Sequence, residues 1–240
     1  MQADKTCIMI DCGFSTREVE KRLLSLDVSA EDLSAIVVTH EHSDHIQGVA
    51  HLARKYDLPV WMTAGTARRA LSRDQFTRLE TFSSHDVFSI DSIELHPFPV
   101  PHDAQEPAQF VFSDGRQRLG LLTDSGSITP HIKAMLDGID GLLLETNYDH
   151  QMLMEGPYPQ ALKARVASRV GHLSNDQAAE LLQSINCENL QYLVAMHISE
   201  KNNHEDYVYR ALAGALDGAD QCIEIACQEI GFHWKELKIQ

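Results

Sequence analysis

The densest group of chemically active side chains is the segment His40-Glu41-His42-Ser43-Asp44-His45, which directly follows the apolar residues 35–39. In an extended segment alternate side chains point the same way, so His40 and His42 can bind one ion together. Asp44 and His45 lie at the turn into the next helix, where they can reach a second ion. Imidazoles and carboxylates suit Zn²⁺, Mn²⁺ or Fe²⁺. A ligand cluster on a rigid strand end therefore predicts a metal site rather than a solvated loop.

The first part of the chain supplies a scaffold of short apolar strands and amphipathic helices. Strands are predicted at residues 6–11, 35–39 and 59–62. Ser15 begins a capping-box pattern that opens a helix, and Asp44 is predicted to cap the helix after the histidine segment.

The rest of the chain is rich in β-type segments over residues 76–124 and then alternates again. Further strands are predicted at residues 141–145, 189–196 and 222–227, and helices at residues 159–169, 175–185 and 206–216. Pro159 is placed in the first turn of its helix. Mixed strands and helices predict a layered α/β fold. Because no repeat or linker interrupts it, residues 1–240 are predicted to form a single domain.

Composition excludes several classes of protein. The 240 residues carry 20 Lys+Arg against 35 Asp+Glu, a formal net charge of −15, with 43% hydrophobic residues. These values are typical of globular proteins and exclude a disordered chain, a coiled coil or a collagen-like fibre. The acidic balance argues against unspecific coating of nucleic acid, but bound cations can reverse the charge inside a site.

Membrane and export signals are not evident. No apolar run approaches the roughly 20 residues that a membrane-spanning helix needs, and the first residues, MQADKTCIMIDCG, lack the pattern of a signal peptide. Five scattered cysteines without a CxxC pair favour reduced thiols. We therefore expect a cytoplasmic protein without membrane partners, and the sequence leaves its oligomeric state open.

The pattern His40-x-His42-x-Asp44-His45 resembles the signature of the metallo-β-lactamase-fold hydrolases. That resemblance implies an α/β fold of the αββα four-layer sandwich type with two divalent metal ions, Zn or Mn and also Fe, between its sheets. Candidates that follow strand ends downstream are His102, Asp124 and His197. By resemblance, one ion is bound by His40, His42 and His102, the other by Asp44, His45 and His197, and Asp124 bridges them. A hydroxide held between two such ions is the implied nucleophile.

Further segments, IDCGFS, NYDH, GPYP, GHLSN and HIS-x3-N, together resemble the YycJ/WalJ branch of these hydrolases, which is similar in organisation to tRNase Z. In tRNase Z a Glu and a His assist phosphodiester cleavage, and Glu145 and His172 stand in the corresponding places. The resemblance implies a 5′→3′ DNA exonuclease, with DNA ranked above tRNA because no long Gly/Pro-rich arm is present. Members of the branch begin with one more strand and a glycine-rich turn, so we expect the usual first N-terminal strand to be missing.

Several residues keep two interpretations. His172 is either a general acid or phosphate clamp, or a structural histidine at a helix start. Glu145 either orients a histidine or simply ends its strand. Asp11 is expected to support the site by hydrogen bonding rather than to bind metal.

Basic and aromatic residues are ambiguous in the same way. Lys163, Arg165 and Arg169 form either a solvated helix face or a contact to phosphates. Tyr148 and Tyr158 either pack or stack on a base.

Two other functions compete with the nuclease. One is a hydrolase of small esters, thioesters or lactones with the same fold, which the acidic charge mildly favours. The other is a regulatory module with structural metals, but structural zinc sites are normally closed sets of four ligands.

Overall fold

The computed structural model describes residues 1–70, 76–216 and 222–239. The chain divides into two compact units. Unit 1 comprises residues 1–99 and 104–108, and unit 2 comprises residues 100–103 and 109–240.

Unit 1 contains a five-stranded sheet with the order β1-β2-β3-β4-β5, and it also contains β6 and β7, an antiparallel pair that belongs to the second, seven-stranded sheet. β1 and β2 are antiparallel, and the other neighbours in this sheet are parallel. The strands are β1 (Gln2–Ala3), β2 (Thr6–Ile10), β3 (Ala35–Val37), β4 (Val60–Thr63), β5 (Leu79–Phe82), β6 (Phe88–Ile90) and β7 (Ile93–Pro99). The helices are α1 (Thr16–Leu24), α2 (Ser43–Ile46), α3 (Val49–Tyr56) and α4 (Ala64–Arg69). Burial of apolar strand and helix side chains such as Ile36, Leu52 and Met62 in one cluster holds the unit together.

The helix after the histidine segment differs from the prediction. It is two helices, α2 and α3, with Gly48 between them, and the residue that precedes α2 is His42 rather than Asp44. The predicted cap at Asp44 is wrong because the helix begins two residues earlier. The chain bends at Gly48 because the Gly48 N–H donates to the Cys12 carbonyl oxygen at 2.8 Å. A Cβ at position 48 would lie 2.0 Å from the Phe14 carbonyl oxygen.

Unit 2 is built on strands with the order β12-β11-β10-β9-β8. β8 and β9 are antiparallel, whereas β9, β10, β11 and β12 run parallel. The strands are β8 (Ala108–Ser113), β9 (Arg118–Leu122), β10 (Gly141–Glu145), β11 (Tyr192–Met196) and β12 (Ile223–Ile225). The helices are α5 (Pro130–Leu136), α6 (His150–Glu155), α7 (Gln160–Val166), α8 (Asn175–Gln183) and α9 (Glu205–Ala215).

In unit 2, α8 begins where the sequence predicts and α9 begins one residue earlier, whereas α5 and α6 were not predicted. The capping box of α8 is complete, because the Gln177 N–H donates to Ser174 Oγ at 3.2 Å and the Ser174 N–H donates to Gln177 Oε1 at 3.0 Å. Pro159 is the residue before α7 rather than part of its first turn.

Parallel strands bring their carboxyl ends to the same edge of a sheet, where ligands usually bind. In unit 2, Asp124, Glu145 and His197 stand at or just after the ends of β9, β10 and β11. In unit 1, Asp11 and the segment 39–45 follow the ends of β2 and β3. Each unit therefore gathers candidate residues at one sheet edge.

Within the described ranges of the chain, no helix is long and apolar enough to cross a bilayer.

Burial raises the pKa of Cys12 to about 11, so this thiol stays protonated and packs in the core. The cytoplasmic location expected from the sequence stays a prediction.

Candidate metal centre

The histidine segment of unit 1 forms a compact group of imidazoles. The rings of His40 and His42 have centroids 4.6 Å apart, and those of His40 and His45 are 4.1 Å apart. His40 and His45 are buried, whereas the Asp44 side chain is 64% exposed. The segment thus presents the predicted side chains together, with its carboxylate toward solvent.

Asp11 and Thr39 fix the orientation of two of these imidazoles. Asp11 Oδ2 accepts hydrogen bonds from Thr39 Oγ1 at 2.7 Å and from His45 Nδ1 at 2.8 Å, and Oδ1 accepts from the Thr39 N–H at 2.7 Å. Because the Thr39 hydroxyl donates to Asp11, it accepts from His40 Nδ1 at 3.0 Å. Both histidines therefore carry their proton on Nδ1 and their lone pair on Nε2. Asp11 has the supporting role expected from the sequence, and Thr39 was not anticipated.

The segment IDCGFS packs directly on the histidine loop. The Cys12 N–H donates to the His45 carbonyl oxygen at 2.6 Å. A Cβ at Gly13 would lie 1.9 Å from the Asp44 carbonyl oxygen, so only glycine permits this close approach. The motif therefore serves to position the loop.

Asp124 lies at the centre of the unit 2 group. Its Oδ1 is 3.9 Å from His102 Nε2 and 3.7 Å from His197 Nε2. Two ligand atoms that each lie about 2.1 Å from one ion are separated by about 3–4 Å. These separations therefore fit a cation between the carboxylate and each imidazole.

Glu145, at the end of β10, is fully buried and accepts four hydrogen bonds. Oε1 accepts from His172 Nδ1 at 2.8 Å and from His197 Nδ1 at 3.0 Å. Oε2 accepts from the N–H groups of Ser125 at 2.9 Å and Leu173 at 3.3 Å. Burial opposes ionisation, but the bonds from both imidazoles outweigh it and hold the pKa of Glu145 below its usual value. Glu145 thus orients two rings at once.

The two imidazoles on Glu145 are arranged differently. His197 directs Nε2 toward Asp124, as a ligand would. His172 has Nδ1, not Nε2, near the carboxylates, 3.5 Å from Asp124 Oδ1. Its Nε2 therefore points away from them, which suits proton transfer better than metal binding.

A glycine supports His102 and His172. The Gly171 carbonyl oxygen accepts from His102 Nδ1 at 3.0 Å, which leaves the lone pair on Nε2. A Cβ at Gly171 would lie 2.2 Å from the Val166 carbonyl oxygen. The GHLSN segment therefore packs so closely on the end of α7 that its first residue, Gly171, has no space for a side chain.

Asparagines join the loops that carry His172 and His197. Asn147 Nδ2 donates to the His197 carbonyl oxygen at 2.8 Å. Buried Asn203 donates to the Thr146 carbonyl oxygen and to Asn175 Oδ1, both at 2.8 Å. The motifs NYDH, GHLSN and HIS-x3-N are thus one hydrogen-bonded network, although the sequence offered no role for their asparagines.

Three residues of these groups have a left-handed backbone, which side chains other than glycine rarely adopt. Asp11 and His197 have φ of 57°, and Asp124 has φ of 49°. Each follows a strand end, and the remaining non-glycine examples are aspartates in turns. Such conformations cost about 1–3 kcal/mol each and are concentrated at functional sites.

A pocket of about 380 Å³ opens beside His172 and His197, lined by residues of unit 2. Arg165, Lys201 and Tyr158 contribute to its wall. The wall thus combines the imidazole proposed for proton transfer with two cations.

The other basic and aromatic candidates have structural roles. Lys163 is buried and donates to the Met154 carbonyl oxygen at 2.5 Å, so it does not contact phosphate. Tyr148 is only 4% exposed and packs with Leu153, so it cannot stack on a base. Lys201 was not anticipated, because a lone lysine after the last histidine gives no signal in the sequence.

The donor set of both units fits divalent transition metals. Imidazole nitrogens and carboxylate oxygens suit Zn²⁺, Mn²⁺ and Fe²⁺. Four of the predicted ligands donate a hydrogen bond through Nδ1, namely His40, His45, His102 and His197. This arrangement is the usual support of metal-binding histidines, so these groups of His and Asp residues can bind metal.

The chain belongs to the family described as the beta-lactamase superfamily domain, which it matches over residues 6–198. It is similar to exodeoxyribonuclease YycJ of Bacillus anthracis, with 32% identity over 229 residues that cover 92% of this chain and 87% of the relative. It is also similar to exodeoxyribonuclease WalJ of Streptococcus pneumoniae strain D39, with 30% identity over 226 residues that cover 92% of this chain and 84% of the relative.

Among solved structures, the metallo-β-lactamase fold protein YhfI of Bacillus subtilis superposes with a TM-score of 0.73. That match has 17% identity and covers 97% of this chain and 89% of YhfI, so it shows the fold. The resemblance inferred from the sequence, the metallo-β-lactamase fold class and the assignment as a metallohydrolase are confirmed. The individual ligand and catalytic residues stay predictions.

Proposed function

We propose that this protein is a metal-dependent phosphodiester hydrolase that degrades DNA as an exonuclease, in the 5′→3′ direction that the family resemblance implies. The observation that carries the proposal is the state of the imidazoles. In both units, a carboxylate or carbonyl oxygen accepts a hydrogen bond from Nδ1–H, which leaves the Nε2 lone pair for a cation. The relatives named exodeoxyribonucleases support the choice of substrate.

The proposed cofactor is two divalent metal ions per chain, Zn or Mn and also Fe. The proposed ligands are His40, His42, Asp44, His45, His102, Asp124 and His197. When bound, the ions activate the attacking water and neutralise charge on the phosphate. Asp11, Thr39 and Glu145 orient the ligands through the hydrogen bonds described above.

His172 is the proposed general acid. Its Nδ1–H is held by Glu145, so Nε2 can carry the proton that the leaving oxygen receives. Glu145 acts through His172 and His197 and is a positioning residue.

A gel assay on single- and double-stranded DNA labelled at the 5′ or 3′ end tests the function. The protein is stripped of metal, reloaded with Mn²⁺ or Zn²⁺ and compared with Asp44→Ala and Asp124→Asn. Asp86→Ala, an exposed aspartate outside the ligand set, is the control. We expect metal-dependent release of nucleotides that both ligand variants lose and the control retains. Full cleavage by Asp44→Ala would contradict the proposal.

The net charge of −15 favours one alternative, a hydrolase of small esters or thioesters. A polyanion meets a repulsive field on such a protein. Parallel kinetics on ester, thioester and phosphodiester model substrates separate the two functions. Turnover of a thioester without turnover of any phosphodiester would favour the alternative.

A further inference from the structure

Resting on the proposed phosphodiesterase function, we propose that the pocket of unit 2 is a subsite for one nucleotide of single-stranded DNA. Arg165 and Lys201 contact a phosphate beside the scissile one, and Tyr158 stacks on the base. The relevant residues all line one pocket together with His172 and His197.

Arg165 is a pre-oriented cation in this wall. Its Nε donates to Asp103 Oδ2 at 2.6 Å, and this bond raises the pKa of the guanidinium further. The side chain is 58% exposed, so the anchored group still faces solvent. A guanidinium has five N–H donors, and the bond to Asp103 occupies one of them. The planar fork matches a phosphate better than a lysine does.

Tyr158 and Lys201 bring an aromatic ring and a second cation together, with the ammonium group over the ring. Lys201 Nζ lies 5.8 Å from the centroid of the Tyr158 ring. The ring also packs against the small apolar cluster of Tyr148, Leu153 and Val166, which fixes its position. A fixed ring next to a cation is the arrangement that binds single-stranded nucleic acid by stacking and by phosphate contact.

The size of the pocket favours a single nucleotide. Its volume of about 380 Å³ is near the lower end of the range for small-molecule pockets. A duplex does not enter a space of this size. Two carboxylates, Asp103 and Glu200, line the wall. Asp103 is already paired with Arg165, so Glu200 is the one that repels a bound anion.

Removing positive and negative charges of this wall one at a time should change the binding affinity in opposite directions. Binding is measured by fluorescence anisotropy, with the whole 240-residue chain and a single-stranded oligonucleotide whose phosphorothioate linkages resist hydrolysis. We expect Arg165→Gln and Lys201→Gln each to weaken binding about tenfold. Each should also reduce the slope of log affinity against log salt by about 0.7. Glu200→Gln should tighten binding a few-fold because it removes the opposing charge.

Arg169→Gln is the matched control, because it removes the same charge near the end of α7 from an exposed side chain that does not line the pocket. We expect a change below twofold. Loss of stacking is tested separately: Tyr158→Leu should weaken binding at least fivefold, while Tyr158→Phe keeps the ring and should bind like the original protein.

The subsite is overturned if Arg165→Gln and Lys201→Gln weaken binding no more than Arg169→Gln, or if Glu200→Gln fails to tighten it. Hydrolysis of bis(4-nitrophenyl) phosphate by the unmodified protein tests the proposed function independently. Turnover of that diester, together with unaltered binding by the pocket variants, overturns the subsite alone. No turnover of any diester overturns the function on which it rests.

Discussion

Replacement of Glu145 by glutamine tests how the buried carboxylate controls the imidazoles. The carboxylate accepts two imidazole N–H groups at Oε1 and two backbone N–H groups at Oε2. An amide offers one acceptor end and one donor end. Whichever way it points, two donors of the original arrangement meet an NH₂ group.

The imidazoles can adapt and the backbone cannot. The backbone amides of Ser125 and Leu173 must donate, so the amide oxygen should face them. The NH₂ group then faces Nδ1 of His172 and His197, whose protons must shift to Nε2. That shift removes the lone pair that His197 directs toward Asp124. We therefore expect Glu145→Gln to lower zinc affinity 10- to 100-fold, whereas the free energy of unfolding of metal-free protein falls only about 1–3 kcal/mol.

Zinc affinity is measured by competition with a chromophoric chelator, and the free energy of unfolding by urea titration in EDTA. Glu94→Gln is the matched control, because Glu94 also accepts from a histidine, His96 Nε2, at 2.5 Å, but is 50% exposed. We expect the control to change the free energy of unfolding by less than about 0.5 kcal/mol and to leave zinc affinity unchanged.

Two results would refute this reasoning. If Glu145→Gln bound zinc like the original protein, the tautomer of His197 would not depend on Glu145. If zinc affinity fell equally in Glu94→Gln, the effect would come from net charge rather than from orientation.

Two further changes give sharp outcomes. Gly171→Ala should lower the free energy of unfolding by about 1–3 kcal/mol and should reduce DNA hydrolysis, because its Cβ would displace the loop that orients His102 and carries His172. Gly214→Ala is the control, because a Cβ at this position of α9 meets open space. The control should be neutral or slightly stabilising in the same melting and nuclease assays. Asp114→Ala should destabilise the protein by about 0.5–1 kcal/mol at pH 7, because the N–H groups of Gln117 and Arg116 lower the pKa of this carboxyl. A carboxyl whose pKa is lowered in the folded state stabilises it above the unfolded pKa of about 3.9, so the difference in urea stability should shrink as the pH falls below 4, and a difference that grows there would contradict the assignment.

Local signals explain what the sequence predicted well. The strand Gly141–Glu145 is a continuous apolar run with a charged end, and α8 begins with a Ser and a Gln at capping-box spacing. The candidate metal ligands near His40 were visible in the sequence because they are adjacent in the chain. Each of these three features depends only on residues that lie close together in the sequence.

Tertiary interactions explain what the sequence could not predict. The break at Gly48 exists because the carbonyl oxygen of Cys12 approaches it, and Cys12 belongs to a different strand end. Glu145 was a candidate, but its four donors come from residues 125, 172, 173 and 197, which meet only in the folded chain. Lys201 is a candidate for nucleic-acid binding because the folded chain places it over the Tyr158 ring, which is distant in the sequence.

The left-handed residues at the strand ends have a consequence for the evolution of this protein. Glycine adopts that backbone conformation without the steric cost that Asp11, Asp124 and His197 bear. Selection for stability alone would therefore favour glycine at these positions, but glycine has no side chain for the roles proposed here. The proposal thus implies that stability and activity oppose each other at Asp11, Asp124 and His197.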